Sequence, residues 1–290
     1  MSWRMNVYYN AVLGGLGGLL GWALLGLIIE PQQAYVRAAL QGGLAGALIG
    51  GLVGCVAGAL NGNRRQLLRG LMSGMALGTV GGALGLVGGE VALQVSGGGL
   101  VARALGWGIF GLAIGLGQGY ISRSRRRATY GATGGAGGGI IGGLLFEVLA
   151  QQSLESQSVT RGIGLVVLGA CIGSLLGLVS EAFVRSRLRV MSGAREGREY
   201  DLERTETTLG SSDACDVYLP GDPQVQLKHA SIRFASNGLT LQRCVPAAVV
   251  TVNGVRAGSG STTIRDGDRL ELGQTRVVIR AKAADVVTAP

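Results

Sequence analysis

The stretch GGLAGALIGGLVGCVAG, residues 42–58, carries no charge and has a glycine at every fourth position from Gly42 to Gly58. In water such a helix is unstable, because each glycine costs about 1 kcal/mol relative to alanine. In lipid the backbone has to satisfy its own hydrogen bonds, so an apolar segment becomes helical despite its glycines. Residues four apart share one helix face, where a second backbone can approach closely. The stretch therefore predicts a tightly packed membrane-spanning helix.

Uncharged, mostly apolar stretches of similar length recur along the first two thirds of the chain. About 20 such residues cross the hydrocarbon core of a bilayer. The predicted spans are 11–29, 38–63, 70–89, 104–122, 128–146 and 162–180. The four-residue glycine spacing recurs in the later spans, which predicts an all-α, six-helix, glycine-zipper transmembrane bundle. The glycines predicted to mediate helix packing are Gly42, Gly46, Gly50, Gly54 and Gly58 in the second span and Gly131, Gly135, Gly139 and Gly143 in the fifth.

A pattern of opposite charges divides this region into three similar parts. A glutamate follows each odd-numbered span, and an arginine precedes each even-numbered span. The three pairs are Glu30 and Arg37, Glu90 and Arg103, and Glu147 and Arg161. We interpret the pattern as three repeats of a helical hairpin. Charges near span ends reach the interface at modest cost, so outer-side ion pairs are one interpretation. A ring around a pseudo-threefold axis, acting as a solute gate, is the other.

The basic residues predict how the bundle is oriented. Residues 1–187 contain 13 arginines, no lysine and 5 glutamates. Eleven arginines up to Arg189 flank the termini and the loops on their side, whereas only Arg37, Arg103 and Arg161 lie on the other side. Short arginine-rich loops stay in the cytoplasm, so both termini are predicted to be cytoplasmic in a bacterial plasma membrane. Charge clustered between apolar runs is not typical of a nucleic-acid-binding face.

The last hundred residues have a different composition, which predicts a second domain. Residues 1–187 form the predicted transmembrane domain, and residues 188–197 are a predicted linker. From 198 to 283, short β-branched runs alternate with turn signals such as Pro220-Gly221-Asp222-Pro223. Many short strands at this spacing are typical of an all-β sandwich. Residues 284–290 are a predicted tail.

Four segments of this second domain occur in an order that resembles forkhead-associated (FHA) domains. The segment 208–217, TLGSSDACDV, resembles the "LGR…CDI" opening of that family. The segment 225–232, VQLKHASI, is similar to its "VSRRHAxI" segment. The tripeptide 252–254 and the segment 266–273, DGDRLELG, match its "VNG" and "DGDxIxLG" segments. The resemblance implies an FHA-like sandwich in the last third of the chain.

The family binds phosphothreonine peptides, and the resemblance implies that this chain has lost most of the phosphate-binding residues. The arginine of the family is replaced by Ser211, its serine by Gln226, and its asparagine by Ala248. Only Lys228 retains a positive charge there. A charged hydrogen bond contributes roughly 1.5–3 kcal/mol, so its loss weakens phosphopeptide binding by about tenfold or more. Binding that is independent of phosphate, or only weakly dependent on it, is therefore predicted.

The resemblance also assigns roles to individual residues. A supporting role for the loops is implied for His229 and Gly210. The predicted partner-binding or phosphopeptide-binding surface consists of Ser211, Ser212, Gln226, Leu227, Lys228, Ala248 and Asn253.

The sequence contains no set of residues that is typical of a catalytic site. The single histidine lies in the FHA-like segment, and no Ser/His/Asp or Cys/His set is present. The four cysteines lack metal-binding spacing, so neither a metal nor another cofactor is expected. We expect a protein that is not an enzyme.

The leading hypothesis is a membrane-anchored scaffold or adaptor in signalling, whose FHA-like module binds a cytoplasmic protein while the bundle contacts the lipid bilayer. The alternative is a small channel or transporter with a regulatory FHA-like domain. In a third interpretation, the glycine grooves bind another membrane protein or a second copy of the chain.

Overall fold

The structure is a computed structural model, and the chain forms two compact units in it. It describes residues 3–29, 31–96, 100–122, 125–151, 157–182, 184, 186–202, 206–235, 238–258 and 260–281. The helical unit falls within residues 2–60 and 66–183. The β unit falls within 61–65 and 184–290.

Six helices are present, as the apolar stretches predict. They are α1 (Trp3–Leu25), α2 (Ala34–Asn61), α3 (Arg64–Ser96), α4 (Leu100–Ser122), α5 (Arg125–Gln151) and α6 (Gln157–Ala182). Five of them contain segments that are long and apolar enough to cross a membrane. In α4 the apolar segment found among the described residues is shorter, from Val101 to Gly117.

Several helix ends differ from the predicted span ends. The first helix ends at Leu25, and the backbone then tightens, with Leu27 N–H donating to Leu24 O (3.1 Å) and Ile28 N–H to Leu25 O (3.2 Å). Glu90 and Glu147 do not follow helices but lie inside α3 and α5. A side chain near the end of a long helix can reach polar surroundings without ending the helix, so charge was a poor marker of the boundary.

The helical unit is a closed ring in which each helix contacts the next one along the chain. The three hairpins are α1–α2, α3–α4 and α5–α6. Within them the contacts are, in that order, Gly17 with Ile49, Gly85 with Phe110, and Gly138 with Ile172. Between hairpins, glycine backbones face one another, and Gly14 of α1 with Gly169 of α6 closes the ring. These approaches are so close that a methyl group on Gly138 would lie 2.6 Å from Ile172 Cα.

All nine glycines predicted to mediate helix packing lie at contacts between hairpins. In α2 they face α3, and in α5 they face α4. A methyl group on Gly50 would lie 2.5 Å from Gly74 O. The α2–α3 partners are Gly42 with Gly82, Gly46 with Gly78, Gly50 with Gly74, Gly54 with Gly70, and Gly58 with Leu67. The α4–α5 partners are Gly115 with Gly131, Gly111 with Gly135, and Trp107 with both Gly139 and Gly143.

Bulky apolar side chains from the even-numbered helices fill the centre of the ring. Ile49, Phe110, Leu168 and Ile172 are each fully buried. They belong to one cluster with Val53 and other apolar residues of α2, α4 and α6. The odd-numbered helices place glycines opposite several of these side chains, which leaves room for them. The centre is therefore a packed apolar core along this part of the ring.

The β unit is a sandwich of two sheets. One sheet has the order β2-β1-β11-β10-β7-β8, and the other has the order β4-β3-β5-β6-β9. Their inner faces share a core that includes Leu188, Leu209, Ile232, Val250 and Ile279. The strands are β1 (Ser186–Val190), β2 (Glu199–Leu202), β3 (Glu206–Gly210), β4 (Val217–Tyr218), β5 (Ala230–Ala235), β6 (Gly238–Arg243), β7 (Val250–Val252), β8 (Val255–Arg256), β9 (Thr262–Ile264), β10 (Arg269–Leu272) and β11 (Thr275–Ala281).

The predicted linker at 188–197 is wrong in its first part, because strand β1 covers residues 186–190. This strand pairs with β11 on one side and with β2 on the other. Its side chains alternate, so that Leu188 and Val190 are buried in the sandwich core. Ser186, Arg187 and Arg189 give this segment a polar sequence. A strand with one buried face, however, needs only every second residue to be apolar. The sandwich therefore begins at Ser186 and not at 198.

Candidate functional site

Two loops of the β unit come together where the FHA-like segments predict a binding surface. One loop follows β3 and the other precedes β5. The N–H of Ser211 donates to Gln226 O (3.0 Å), and the N–H of Ser212 donates to Leu227 O (3.2 Å). A side chain on Gly210 would collide with Leu227 O, so glycine permits this approach. We call Ser211, Ser212, Gln226, Leu227 and Lys228 the recognition surface.

His229 supports the recognition surface from within. The side chain is completely buried, and its Nδ1 accepts a hydrogen bond from the N–H of Gln226 (3.1 Å). The ring then carries its proton on Nε2, which donates to Val249 O (3.1 Å). Burial lowers the pKa of His229, so the ring is neutral at pH 7. A buried neutral ring with both nitrogens engaged positions the loop and does not contact a ligand.

Two other predicted surface residues lie elsewhere. Ala248 is completely buried, so the prediction that its side chain contacts a partner is wrong. Its own N–H donates to Val245 O (3.1 Å) in a tight turn, which directs the short side chain inward. Asn253 has a positive φ of 52° in the turn between β7 and β8. Its side chain donates to Asp268 Oδ1 (2.8 Å) and accepts from Arg269 N–H (2.9 Å), so it ties this turn to the start of β10.

The recognition surface combines polar side chains with one exposed apolar and one basic side chain. Leu227 is 72% exposed, and Lys228 beside it is also exposed. Val249, whose carbonyl is bonded to His229, is likewise exposed. Sequence reasoning missed Val249, although an apolar residue next to the replaced asparagine position was visible. The surface offers apolar contacts and one ammonium group.

Residues 61–65 belong to the β unit and contact the loop after β3. Asn63 is almost completely buried, and its Nδ2 donates to Asp213 O (2.9 Å). Arg65 lies 3.9 Å from the Asp213 carboxylate, and Arg195 Nη2 donates to Gly62 O (3.0 Å). One side of this loop is thus covered by the chain itself. Leu227 and Lys228, which belong to the adjoining loop before β5, are exposed.

The helical unit contains a second candidate site, a cavity at the end of the ring where odd-numbered helices end and even-numbered helices begin. Its volume is about 730 Å³. Five of the six charged residues predicted to form outer-side pairs line it, and Glu30 lies outside the described residues. We call this space the axial cavity; its charged lining residues are Arg37, Glu90, Arg103, Glu147 and Arg161.

The ion pair seen in the axial cavity joins successive hairpins. Arg103 of α4 donates to Glu147 of α5 (2.5 Å), not to Glu90 of its own hairpin. The Glu147 side chain is only 8% exposed, whereas Arg103 is half exposed. A buried carboxylate is costly unless it is paired, so Arg103 stabilises Glu147 in this position. The sequence spacing could not distinguish the two pairings.

Metal-binding clusters are absent from the described part of the chain, where no three His, Cys, Asp or Glu side chains converge. The cysteines Cys55, Cys171, Cys215 and Cys244 are free. Burial raises the pKa of Cys215 in the β unit, which disfavours the reactive thiolate.

The comparisons with known proteins concern the β unit. The family model "Inner membrane component of T3SS, cytoplasmic domain" matches residues 189–283. The FHA domain of CT664 protein from Chlamydia trachomatis is 24% identical, and the match covers 34% of this chain and 99% of that one with a TM-score of 0.31. The cytoplasmic domain of the T3SS sorting platform protein PscD from P. aeruginosa is 22% identical. That match covers 37% of this chain and 95% of that one, with a TM-score of 0.30.

A third solved structure is the N-terminal FHA domain of S. cerevisiae Rad53p in complex with a phosphothreonine peptide. It is 20% identical, covering 34% of this chain and 94% of that one, with a TM-score of 0.30. The comparison with curated proteins gave no match. The C-terminal part of the chain contains an FHA-like domain, which confirms the resemblance inferred from its four segments.

Proposed function

We propose that this protein is a membrane-anchored adaptor whose FHA-like domain binds a cytoplasmic protein without requiring phosphate. The helical unit supplies the anchor, since five of its helices are long and apolar enough to cross a bilayer. The matching family model is named for an inner-membrane component, which supports a bacterial plasma-membrane location. The partner would belong to a membrane-bound assembly or to a signalling system.

The recognition surface carries the proposal of phosphate-independent binding. Its two loops are joined by backbone hydrogen bonds, as a preformed binding site requires. At the two positions where the family places arginine and serine, this chain has Ser211 and Gln226. The exposed Leu227 and Val249 offer apolar contacts in their place. Such a surface favours an apolar peptide or protein segment over a phosphate dianion.

The axial cavity bears on the alternative of a channel or transporter. Ala45, Trp107 and Leu165 line the cavity and also belong to the apolar cluster that includes Ile49, Phe110 and Leu168. Packed apolar side chains therefore lie at its inner end. A conducting pathway needs polar groups or water along its length. This packing favours an anchor over an open pore.

Restoring the family's residues is expected to create phosphate binding. The double variant Ser211→Arg and Gln226→Ser places both groups on loops already joined by the 3.0 Å Ser211–Gln226 hydrogen bond. We expect residues 184–290 of the natural sequence to bind matched phosphothreonine and threonine peptides equally weakly. The double variant should prefer the phosphopeptide by roughly tenfold or more, as one charged hydrogen-bond pair allows. Isothermal titration calorimetry measures both affinities.

The matched control for this experiment is Thr263→Arg with Gln242→Ser, which adds the same side chains at exposed positions of β9 and β6. It should leave the two peptide affinities equal. A strong preference for phosphothreonine in the natural sequence, lost in Lys228→Gln, would contradict the proposal.

The arginine distribution predicts where reporter proteins become active. A fluorescent protein fused after residue 290 is expected to fluoresce, because it folds in the cytoplasm. Alkaline phosphatase, active only outside the cytoplasm, should be active when inserted after Gln32 and inactive when inserted after Gly62. Activity after Gly62, or an inactive fusion after Gln32, would refute this orientation. Recovery of the intact chain from the soluble fraction without detergent would refute membrane anchoring itself.

A further inference from the structure

The axial cavity has the size of a small-molecule binding site. Its volume of about 730 Å³ is within the range of roughly 300–1,000 Å³ that is typical of ligand pockets. Residues from all six helices line it, so the ring of helices forms the site as a whole. The proposed adaptor role of the FHA-like domain makes no use of this cavity.

The charged groups of the cavity favour an anionic ligand. Among the described lining residues there are three guanidinium groups and two carboxylates. Glu147 is buried and already paired with Arg103, and Glu90 accepts a hydrogen bond from Gln94 Nε2 (3.4 Å). Arg37 is half-buried and forms no salt bridge with any residue that the structure describes. Guanidinium groups bind phosphate and carboxylate oxygens in a bidentate manner.

The deeper lining of the cavity is aromatic and aliphatic. Trp22, Trp107 and Phe146 contribute rings from three helices, and the Trp107 and Phe146 ring centroids are 5.2 Å apart. Leu86 and Leu165 add aliphatic surface. Apolar surface of this kind binds a hydrocarbon or aromatic group through the hydrophobic effect. A charged mouth and an apolar interior match a ligand that is itself amphipathic.

We propose that the axial cavity binds an anionic amphiphile. The arginines Arg37, Arg103 and Arg161 hold its phosphate-like head group, and its apolar portion lies against Trp22, Trp107 and Phe146. The same chemistry occurs in an acidic membrane phospholipid and in a soluble phosphorylated compound with an apolar body. Both sources are compared in the experiment.

Tryptophan fluorescence reports occupancy of this cavity directly. The chain has three tryptophans, and Trp3→Phe leaves only the two that line the cavity. We expect bromine-labelled dodecyl phosphate to quench their emission saturably in the full-length protein held in phosphatidylcholine nanodiscs. Bromine-labelled dodecanol enters the same bilayer without the charge and should give only weak, non-saturating quenching. Equal quenching by the alcohol, or stronger quenching by a brominated dodecyltrimethylammonium cation, would overturn the proposal.

Substitutions of arginine test the head-group site. Arg37→Gln should raise the apparent Kd for dodecyl phosphate by roughly tenfold, as expected when a charged hydrogen bond is lost. Arg37→Lys retains the charge and should recover part of the affinity. Arg69→Gln, an exposed arginine of α3 that does not line the cavity, is the matched control and should bind as the parent does. Circular dichroism verifies that each variant is folded; equal affinity in Arg37→Gln and Arg69→Gln would overturn the proposal.

Competition identifies the source of the ligand. Displacement of the probe by nanodiscs rich in phosphatidylglycerol, but not by millimolar inorganic phosphate, supports a membrane phospholipid. Displacement by inorganic phosphate supports a soluble phosphorylated compound. Failure of both competitors, together with quenching that does not saturate, would show that the probe merely dissolves in the bilayer and would overturn the site.

Discussion

Replacing Gly46 with alanine is expected to separate α2 from α3 and to destabilise the helical unit strongly. The added methyl group would overlap Gly78 O and lie 2.8 Å from Gly78 C and 3.2 Å from Gly82 Cα. All three neighbours are backbone atoms, so no side chain can rotate away. The helices must move apart, and the neighbouring contacts of Gly42 and Gly50 are lost with them. We expect a loss of roughly 3 kcal/mol or more, at the upper end for overpacked cores.

Thermal unfolding of the purified full-length chain in detergent measures this loss. Gly46→Ala should unfold at a clearly lower temperature, and Gly46→Val should fail to give a monodisperse protein. The matched control is Gly88→Ala, since a methyl group there meets only Ile109 Cδ1 at 4.0 Å. Alanine also favours the helix by about 1 kcal/mol over glycine, so this variant should be at least as stable as the natural protein. Equal stability of Gly46→Ala and Gly88→Ala would show that close backbone packing contributes little.

Replacing Asp222 with alanine is expected to produce the largest loss of stability among single polar substitutions that we consider in the β unit. Its Oδ2 accepts hydrogen bonds from the N–H groups of Gln274 (2.8 Å) and Thr275 (2.9 Å) and from the Thr275 hydroxyl (3.0 Å). Its Oδ1 accepts from Gln224 N–H (3.0 Å). The carboxylate thus ties the loop before β5 to the turn between β10 and β11. Alanine leaves these donors without their acceptor, at a cost of roughly 2–4 kcal/mol.

The pH dependence of this effect has a definite sign. Desolvation is the largest single influence on the pKa of Asp222 and raises it, but the hydrogen bonds from Gln224, Gln274 and Thr275 together lower the pKa below its usual value. The folded state therefore favours the charged form more than the unfolded state does. This stabilisation is fully present above the unfolded-state pKa and is lost as the pH falls through the folded-state pKa.

Urea unfolding of residues 184–290 at several pH values tests both statements. This fragment contains all eleven strands and the sandwich core. At neutral pH the free energy of unfolding of Asp222→Ala should be lower than that of the natural sequence by roughly 2–4 kcal/mol. The difference in unfolding free energy between the natural sequence and Asp222→Asn should be constant near neutral pH and should shrink below about pH 4, the usual range of an aspartate. Asp213→Asn is the control, because its side chain is 54% exposed, and surface substitutions usually change stability by no more than about 0.5 kcal/mol. A pH-independent difference would mean that the charge of Asp222 is unimportant.

The candidate sites show which features short sequence patterns can predict and which they cannot. Ser211, Gln226 and Lys228, chosen by aligning short segments with a known family, lie on adjoining loops, and their part in binding stays a prediction. Ala248 was misplaced, because the same alignment says nothing about whether a short side chain faces the core or the surface. Glu90 and Glu147 were assigned to helix ends because they interrupt apolar stretches, yet the helices continue past them.

The amino-acid sequence by itself determined the six helices and the FHA-like sandwich, since both depend on residues that are neighbours along the chain. Apolar length specifies a helix residue by residue, and the turn and strand signals of 206–281 occur in short consecutive segments. Only the tertiary structure decided that the glycine faces meet between hairpins, that Arg103 pairs with Glu147, that β1 completes the first sheet and that the charged residues share one cavity. Many of these features join residues that are far apart along the chain, as Arg103 and Glu147 are. Which partners meet depends on the packing of the entire ring or sandwich, because burial and charge pairing are set by all the neighbours at once.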